Sequence, residues 1–190
     1  FGIGLTYFFG SNLLRDIIGK QNEQMASALG LYVVADIAGE VEDIETYATR
    51  PVWTDDIKEA NSKYKLTEDT KIRNDLIAMD RRWIAADKDS PLIKEYTNNR
   101  AGTSMRDIQK VRGNIAELLI TDRFGGLVAA SEKTSDFYQA DEEWWQKAYN
   151  GGEGSVYVSG AEFDESSKMW VISIAVPVRG ETGSIIGICK

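Results

Sequence analysis

The feature that most constrains the fold is a series of short apolar runs separated by turn residues in the second half of the chain. The Asp122–Gly126 segment between the first two runs is typical of a hairpin turn, because glycine supplies positive φ. Asp141 begins a predicted helix, with Glu142 and Glu143 in its first turn, where acidic side chains are favourable. The runs predict five strands of an antiparallel sheet crossed by one helix, at residues 115–121, 127–131, 155–159, 168–178 and 184–188.

The first half of the chain has a helical pattern. Apolar residues recur at three- or four-residue steps from Asn12 to Thr49, and Pro51 ends the pattern. This predicts one helix on the order of 50 Å long. Shorter helices are predicted at 53–60, 67–87, 91–96 and 104–112. The predicted fold class is therefore α+β, with a long N-terminal helix and small helices packed on a five-stranded antiparallel sheet.

Composition excludes several classes of function. The chain has 190 residues, a net charge of −8, no histidine and one cysteine. Without histidine there is no Ser-His-Asp triad and no His metal site, and the acidic balance argues against nucleic-acid binding. Cys189 lies in an apolar run, which favours a buried structural thiol. We therefore predict a non-catalytic chain with no cofactor and no metal.

The segment 1–10 is apolar and rich in aromatic residues, but it is shorter than the roughly 20 residues that span a bilayer. Tyr7, Phe8 and Phe9 are the residue types found at the level of lipid headgroups. We expect this segment to be the end of a transmembrane helix or a membrane-proximal segment. The alternative is a frayed or dimer-packing helix start.

Aromatic residues cluster around the predicted helix at 141–149. Tyr138, Trp144, Trp145 and Tyr157 lie on this helix or close to it, and adjacent tryptophans on a helix point about 100° apart. Two interpretations remain open, since these side chains can form core and rim packing or the wall of a ligand pocket. For Asp122, a role in the turn is favoured over metal binding.

Four motifs in order give a resemblance to a known family: Thr121–Gly125, Asp141–Trp145, Ala175–Val178 and Gly183–Gly187. Together they resemble the Cache sensor domains, which are extracytoplasmic ligand-binding modules of bacterial transmembrane receptors. The resemblance implies a PAS-like antiparallel sheet with a pocket between the sheet and the helices from Ser135 to Tyr149. It also implies an output through a histidine kinase, a chemotaxis receptor or a cyclic-nucleotide enzyme.

The resemblance also implies a division of the chain. After the membrane-proximal segment 1–10, residues 11–190 would form one Cache-like sensor domain in a periplasmic or extracellular location. Within it, 11–50 is the long helix, 51–113 a helical subregion and 114–190 the PAS-like sheet.

The chain departs from the pocket motif of Cache domains that bind α-amino acids. Trp144 and Tyr157 match that motif, but Glu142 stands where the motif has a carboxylate-binding arginine. Lys147 and Ser159 stand where it has aspartates. We therefore expect a cationic or neutral polar solute, although Lys147 or Arg123 could bind an anion. The candidate ligand-binding residues are Ser131, Tyr138, Asp141, Glu142, Trp144, Trp145, Lys147, Tyr157 and Ser159.

Two functional hypotheses follow. The first is a sensor that binds an unknown small molecule, in a receptor that is membrane-anchored in its full-length form. The second is a protein-interaction or dimerisation module with a vestigial pocket, for which the N-terminal helix would form a homodimer.

Overall fold

The computed structural model describes the backbone of residues 2–164 and 168–190 and the side chains of residues 18–163 and 168–190. Its helices are α1 (Gly2–Ala48), α2 (Pro51–Ser62), α3 (Asp69–Ala85), α4 (Pro91–Thr97), α5 (Arg100–Arg112) and α6 (Glu143–Tyr149). Its strands are β1 (Leu119–Thr121), β2 (Leu127–Ala130), β3 (Tyr157–Asp164), β4 (Met169–Arg179) and β5 (Ile185–Cys189). A single 3₁₀ turn, Asn150–Gly152, follows α6.

The five strands form one antiparallel sheet in the order β2-β1-β5-β4-β3. The predicted α+β class is therefore confirmed, with a long N-terminal helix and small helices packed on the sheet. Successive residues of a strand point to opposite faces, and the burial of the strands follows this rule. Leu119 packs into the core on one face, whereas its neighbours Leu118 and Ile120 pack into the core on the other.

The two faces are covered by different helices. The face that we call the cavity face carries α3, α4 and α6, with Trp83, Ile93 and Trp145 in its core. The face that we call the closed face carries the end of α1 with α2 and α5, and its core includes Trp53 and Met105. Each face buries a continuous apolar cluster, which is the main source of stability in such a layered fold.

The chain divides into two compact units, Phe1–Glu40 and Val41–Lys190. In the first unit, α1 is unbroken, and the expected stripe residues Met25, Leu29 and Val33 are exposed. In the second unit, Ile44 and Ala48 are buried in the closed-face core. The part of α1 that belongs to the second unit therefore packs on the closed face through these two side chains.

Several predicted boundaries are corrected by hydrogen bonds that the sequence pattern does not show. Helix α5 begins at Arg100 rather than 104, because the Asn99 side chain caps it by accepting from Gly102 N at 2.8 Å. Strand β1 begins at Leu119 rather than 115, since the carbonyls of Ile115 and Ala116 accept instead from the Gln109 side chain.

Strand β3 covers 157–164 rather than 155–159. It pairs with β4 from Tyr157 to Asp164, so the β3–β4 hairpin is longer than the apolar run predicts. A register shift between Val158 and Ala161 interrupts this pairing, and such an irregularity hides the two-residue alternation in the sequence.

The turn between β1 and β2 is built as predicted. Asp122 is 2% exposed, and its Oδ1 accepts from the backbone nitrogens of Phe124 at 2.8 Å and Gly126 at 3.0 Å. Gly125 has a φ of +83°, and a Cβ added there would lie 2.4 Å from the Cβ of Ala140. Glycine is therefore required both by the backbone conformation and by the space.

Cys189 is fully buried, and burial raises the pKa of its thiol to about 12. This agrees with the structural role predicted for it. In the part of the chain whose residues are described, none of the helices has a stretch long and apolar enough to cross a membrane. The side chains of segment 1–10, on which the membrane-exit interpretation depends, lie outside the described residues.

Candidate functional site

A cavity of about 260 Å³ lies on the cavity face, between the start of α6, the segment before it and strands β3 and β4. Its position agrees with the pocket that the resemblance implies. Most of its walls are polar, with two aromatic side chains among them. The lining residues are Glu117, Leu119, Thr134, Ser135, Gln139, Glu142, Glu143, Trp144, Tyr157, Ser159, Glu162, Ser173 and Lys190.

The segment 134–142, which forms one wall of the cavity, is held by hydrogen bonds to α3. Asp80 Oδ1 accepts from the backbone nitrogens of Phe137 at 2.7 Å and Tyr138 at 3.1 Å. The buried indole of Trp83 donates to the carbonyl of Thr134 at 3.0 Å. These bonds fix a wall that has no regular secondary structure of its own.

The same wall is attached to the β1–β2 turn. The backbone nitrogen of Gln139 donates to the carbonyl of Gly125 at 2.8 Å, and Gly126 forms a bridge with Tyr138. The turn is itself anchored by Tyr64, whose hydroxyl donates to Asp122 Oδ2 at 2.9 Å. The Asp122 turn therefore positions the cavity wall and does not itself line the cavity.

Two aromatic side chains, one on α6 and one on β3, border the cavity. Trp144, on the first turn of α6, is 7% exposed, and the Nζ atom of Lys190 lies 5.1 Å from its ring centroid. Tyr157 lies on β3, paired with Ala175 of β4. A cation above an indole ring is attracted by the negative face of the ring, so this wall is suited to hold positive charge.

Acidic side chains surround the start of α6. Burial raises the pKa of Glu142, the nearby carboxylates of Asp136 and Asp141 raise it further, and Lys190 lowers it. Burial also raises the pKa of Asp136, although hydrogen bonds from Ser135 and Gln139 oppose the change. Both shifts have the direction expected where carboxylates lie together with too few cations.

Four of the predicted ligand-binding residues line the cavity, namely Glu142, Trp144, Tyr157 and Ser159. The Ser159 hydroxyl is already bonded, since it donates to Gly160 O at 2.7 Å and accepts from Ser173 N at 2.9 Å. Contact of these four residues with a ligand stays a prediction.

The other five predicted residues lie outside the cavity lining. Ser131, Tyr138 and Trp145 are buried; Ser131 Oγ accepts from Leu118 N at 3.1 Å, and Trp145 Nε1 donates to Thr121 Oγ1 at 2.9 Å.

Asp141 and Lys147 are exposed. Asp141 also does not cap α6, because Glu142 occupies the N-cap position, without a capping side-chain bond.

Sequence reasoning missed several lining residues. Ser173 was detectable, because it precedes Ala175 by two residues on β4 and so shares its face. Gln139 and Lys190 had no such signal. Gln139 lies in an irregular segment, and Lys190 is the residue after the last strand. Only the tertiary structure brings these two residues to the same cavity.

A second cavity, of about 510 Å³, lies within the second unit among the end of α1, α2 and β4. The ion pair between Lys58 and Glu181, with 2.8 Å between Nζ and Oε1, lies at its edge. Among the described residues that line it there is no aromatic side chain. The first cavity is therefore the better candidate for a ligand site.

Comparison with known proteins gives matches only among solved structures. No described protein family and no curated protein matches the chain. The sensory domain of the Campylobacter jejuni chemoreceptor Tlp3 with isoleucine bound is 14% identical, with 83% of this chain and 58% of that chain covered and a TM-score of 0.39.

The V. cholerae histidine kinase DctB sensor domain is 14% identical, with 84% and 55% covered and a TM-score of 0.32. The ligand-binding domain of Mlp24 with asparagine is 16% identical, with 78% and 58% covered and a TM-score of 0.31. The chain thus spans less than two thirds of the length of these structures.

Proposed function

We propose that this chain is the extracytoplasmic small-molecule sensor domain of a transmembrane signalling receptor and is not itself catalytic. The observation that carries the proposal is the cavity of about 260 Å³ between the sheet and α6. It combines two aromatic side chains with several hydrogen-bonding groups, and convergent polar groups of this kind fix the orientation of a ligand. The receptor context and the location follow from the sequence resemblance to Cache domains.

The construction of the cavity supports binding of a solute from outside. Its wall at 134–142 is fixed by Asp80 and Trp83, so much of the site is formed before a ligand arrives. A preformed site loses less conformational entropy on binding.

Strand β5 links the two faces of the sheet. It packs Ile188 towards the cavity face and Cys189 towards the closed face, where α1 ends. A ligand that moves β5 or the residue after it, Lys190, could therefore change the packing of helix α1 in this unit. Such coupling requires that the ligand bind two arrangements with different affinity.

A thermal-shift screen of small metabolites tests the proposal, because a ligand that binds only the folded state stabilises it by mass action. We expect at least one compound to raise the midpoint of unfolding in the wild type and to lose this effect in Tyr157→Ala. The exposed substitution Lys147→Ala, on the same helix as Trp144 but outside the cavity lining, is the control.

If no compound of a broad library raises the midpoint of unfolding, the sensor proposal is wrong. This result would favour the interaction module, for which the first unit offers a specific observation. Met25, Leu29 and Val33 recur at four-residue steps along α1 and are each more than half exposed, a spacing that places them on one side of a helix.

For that unit, we propose a homodimer formed through these apolar side chains. Sedimentation of the wild type and of Leu29→Lys tests it, with the exposed Gln24→Lys as the control. A monomeric wild type would contradict the dimer without affecting the sensor proposal.

A further inference from the structure

We propose that the cavity selects a small organic cation, an amine that carries no carboxylate, and that it excludes dicarboxylates and zwitterions of the same length. This inference rests on the proposed sensor function and names the class of its ligand. It is carried by three features of the cavity, namely the balance of its charges, an acceptor oxygen in its wall and the face of Trp144.

The lining carries more negative than positive charge. Glu117, Glu142, Glu143 and Glu162 are its carboxylates, and Lys190 is its one ammonium group among the described residues. Glu142, Glu143 and Glu162 by themselves outnumber this one ammonium group, so the lining keeps a negative balance. An anionic ligand would add to this repulsion, whereas a cationic ligand relieves it.

The wall also carries an acceptor oxygen, the Oε1 atom of Gln139. Gln139 is 3% exposed and lines the cavity, and its Nε2 atom donates to the backbone oxygen of Asp136 at 2.9 Å and to the Oδ1 atom of Asp136. These two bonds fix the orientation of the amide. Because the amide nitrogen is bonded to Asp136, the Oε1 atom is the part of this side chain that can accept from an N–H group of an amine.

The face of Trp144 already holds a cation of the chain itself. The Lys190 ammonium lies 5.1 Å from the ring centroid, which is within the range of a cation–π contact. A ligand ammonium that binds over the same ring would compete with Lys190. Removing the Lys190 ammonium group should therefore raise the affinity for a cation, whereas it would lower the affinity for an anion.

The size of the cavity limits the ligand. A volume of about 260 Å³ lies near the lower end of the roughly 300–1,000 Å³ of ligand pockets, so only a small ligand is expected. A short diamine or amino alcohol fits this space.

The experiment uses isothermal titration with four compounds that share a four-carbon chain. They are 1,4-diaminobutane, 4-amino-1-butanol, 4-aminobutyrate and succinate, and their charge changes from +2 to −2. We expect 1,4-diaminobutane and 4-amino-1-butanol to bind. The affinity for 4-aminobutyrate should be at least tenfold lower than for these amines, and succinate should show no detectable binding. Because the lining residues Glu142, Glu143 and Glu162 are exposed, added salt should weaken the binding of 1,4-diaminobutane.

Two variants assign the binding to the cavity. Glu142→Gln removes one carboxylate of the lining and should weaken 1,4-diaminobutane at least tenfold, while the exposed Glu153→Gln, outside the lining, should change it less than twofold. Lys190→Met removes the competing ammonium and should strengthen binding of the diamine about threefold.

The outcomes separate this inference from the proposed function. Binding of succinate or 4-aminobutyrate in preference to the amines, or weaker diamine binding in Lys190→Met, overturns the cation inference and leaves the sensor proposal standing. If neither amine binds but a neutral solute from the wider screen does, the cation inference is also overturned and the sensor proposal stands. If the four compounds and the wider screen all fail to bind, both proposals are wrong.

Discussion

The two faces of the sheet are made by the same five strands and yet differ in how completely they are covered. On the closed face, Trp53 and Ile57 of α2 are fully buried, and α2 contacts β1 and β5. On the cavity face, α3 and α4 cover part of the sheet, whereas α6 is only seven residues long and is preceded by the irregular segment 134–142. Glu142 and Trp144, at the start of α6, both line the cavity, and Trp144 also belongs to the core of this face.

The difference shows how a fold separates stability from binding. A regular helix with a continuous apolar stripe packs closely against the strands that its buried side chains contact. A short helix joined to an irregular segment brings polar backbone and side-chain groups to the sheet, and these must be held by specific bonds such as those from Asp80. The predictions below test this contrast, in order of decreasing effect on stability.

The largest effect is expected on the closed face. Trp53→Ala removes a fully buried indole and should lower the free energy of unfolding by about 3–5 kcal/mol, measured by urea denaturation. Trp144→Ala should cost less, because one side of that indole already borders a cavity. Equal costs for the two substitutions would contradict the distinction between the faces.

The next effect concerns the turn that fastens the cavity wall. Gly125→Ala forces a φ of +83° on a residue with a Cβ and places that Cβ against Ala140. We expect a loss of about 2–4 kcal/mol from backbone strain and overpacking together.

Gly113→Ala is the matched control, since Gly113 has a φ of +69° but no atom within 4 Å of an added Cβ. Thermal unfolding of both variants separates the two causes. If Gly113→Ala costs as much as Gly125→Ala, the close contact with the cavity wall contributes nothing.

A smaller and pH-dependent effect is expected at Tyr64. Tyr64→Phe removes the hydroxyl that donates to the buried Asp122 carboxylate, and should cost about 1–2 kcal/mol at neutral pH. Burial raises the pKa of Asp122, and the Tyr64 hydrogen bond is one of the contacts that oppose this shift. The pKa of Asp122 should therefore rise further in the variant.

The sign of the pH dependence follows from proton linkage. In Tyr64→Phe the folded state holds the Asp122 proton to higher pH, so the cost of the substitution should be smallest below the unfolded pKa of about 3.9. It should grow as pH rises through the raised folded pKa. Urea denaturation at a series of pH values measures this, and a cost that is largest in acid would contradict the role given to the hydrogen bond.

The smallest effect is expected where the helices of the closed face no longer cover the sheet. Trp170 is 72% exposed on β4, opposite Phe163 of β3. Trp170→Ala should change the free energy of unfolding by less than about 0.5 kcal/mol. A loss of several kcal/mol in thermal unfolding would show that this end of the sheet is covered in solution.

The sequence alone was sufficient for the elements whose periodicity is regular. The continuous helical pattern of α1, the strand–turn–strand run around Asp122 and the buried position of Cys189 could all be predicted, because each depends on a local repeat or on turn chemistry. Trp144 and Tyr157 were also named as pocket residues, and both line the cavity. The exposure of Met25 to Val33 could not be predicted, since an apolar stripe gives no information on whether a partner surface covers it.

Tertiary structure alone decided which polar groups meet at the cavity. Trp145 and Trp144 are neighbours in sequence, yet the first donates to Thr121 in the core while the second borders the cavity. Gln139 and Lys190 are 51 positions apart in the printed sequence and line the same space. Their meeting depends on the order of the strands and on the bonds that fix the segment before α6. These are long-range interactions that no local repeat encodes, whereas the helices and strands follow from the periodicity of neighbouring residues.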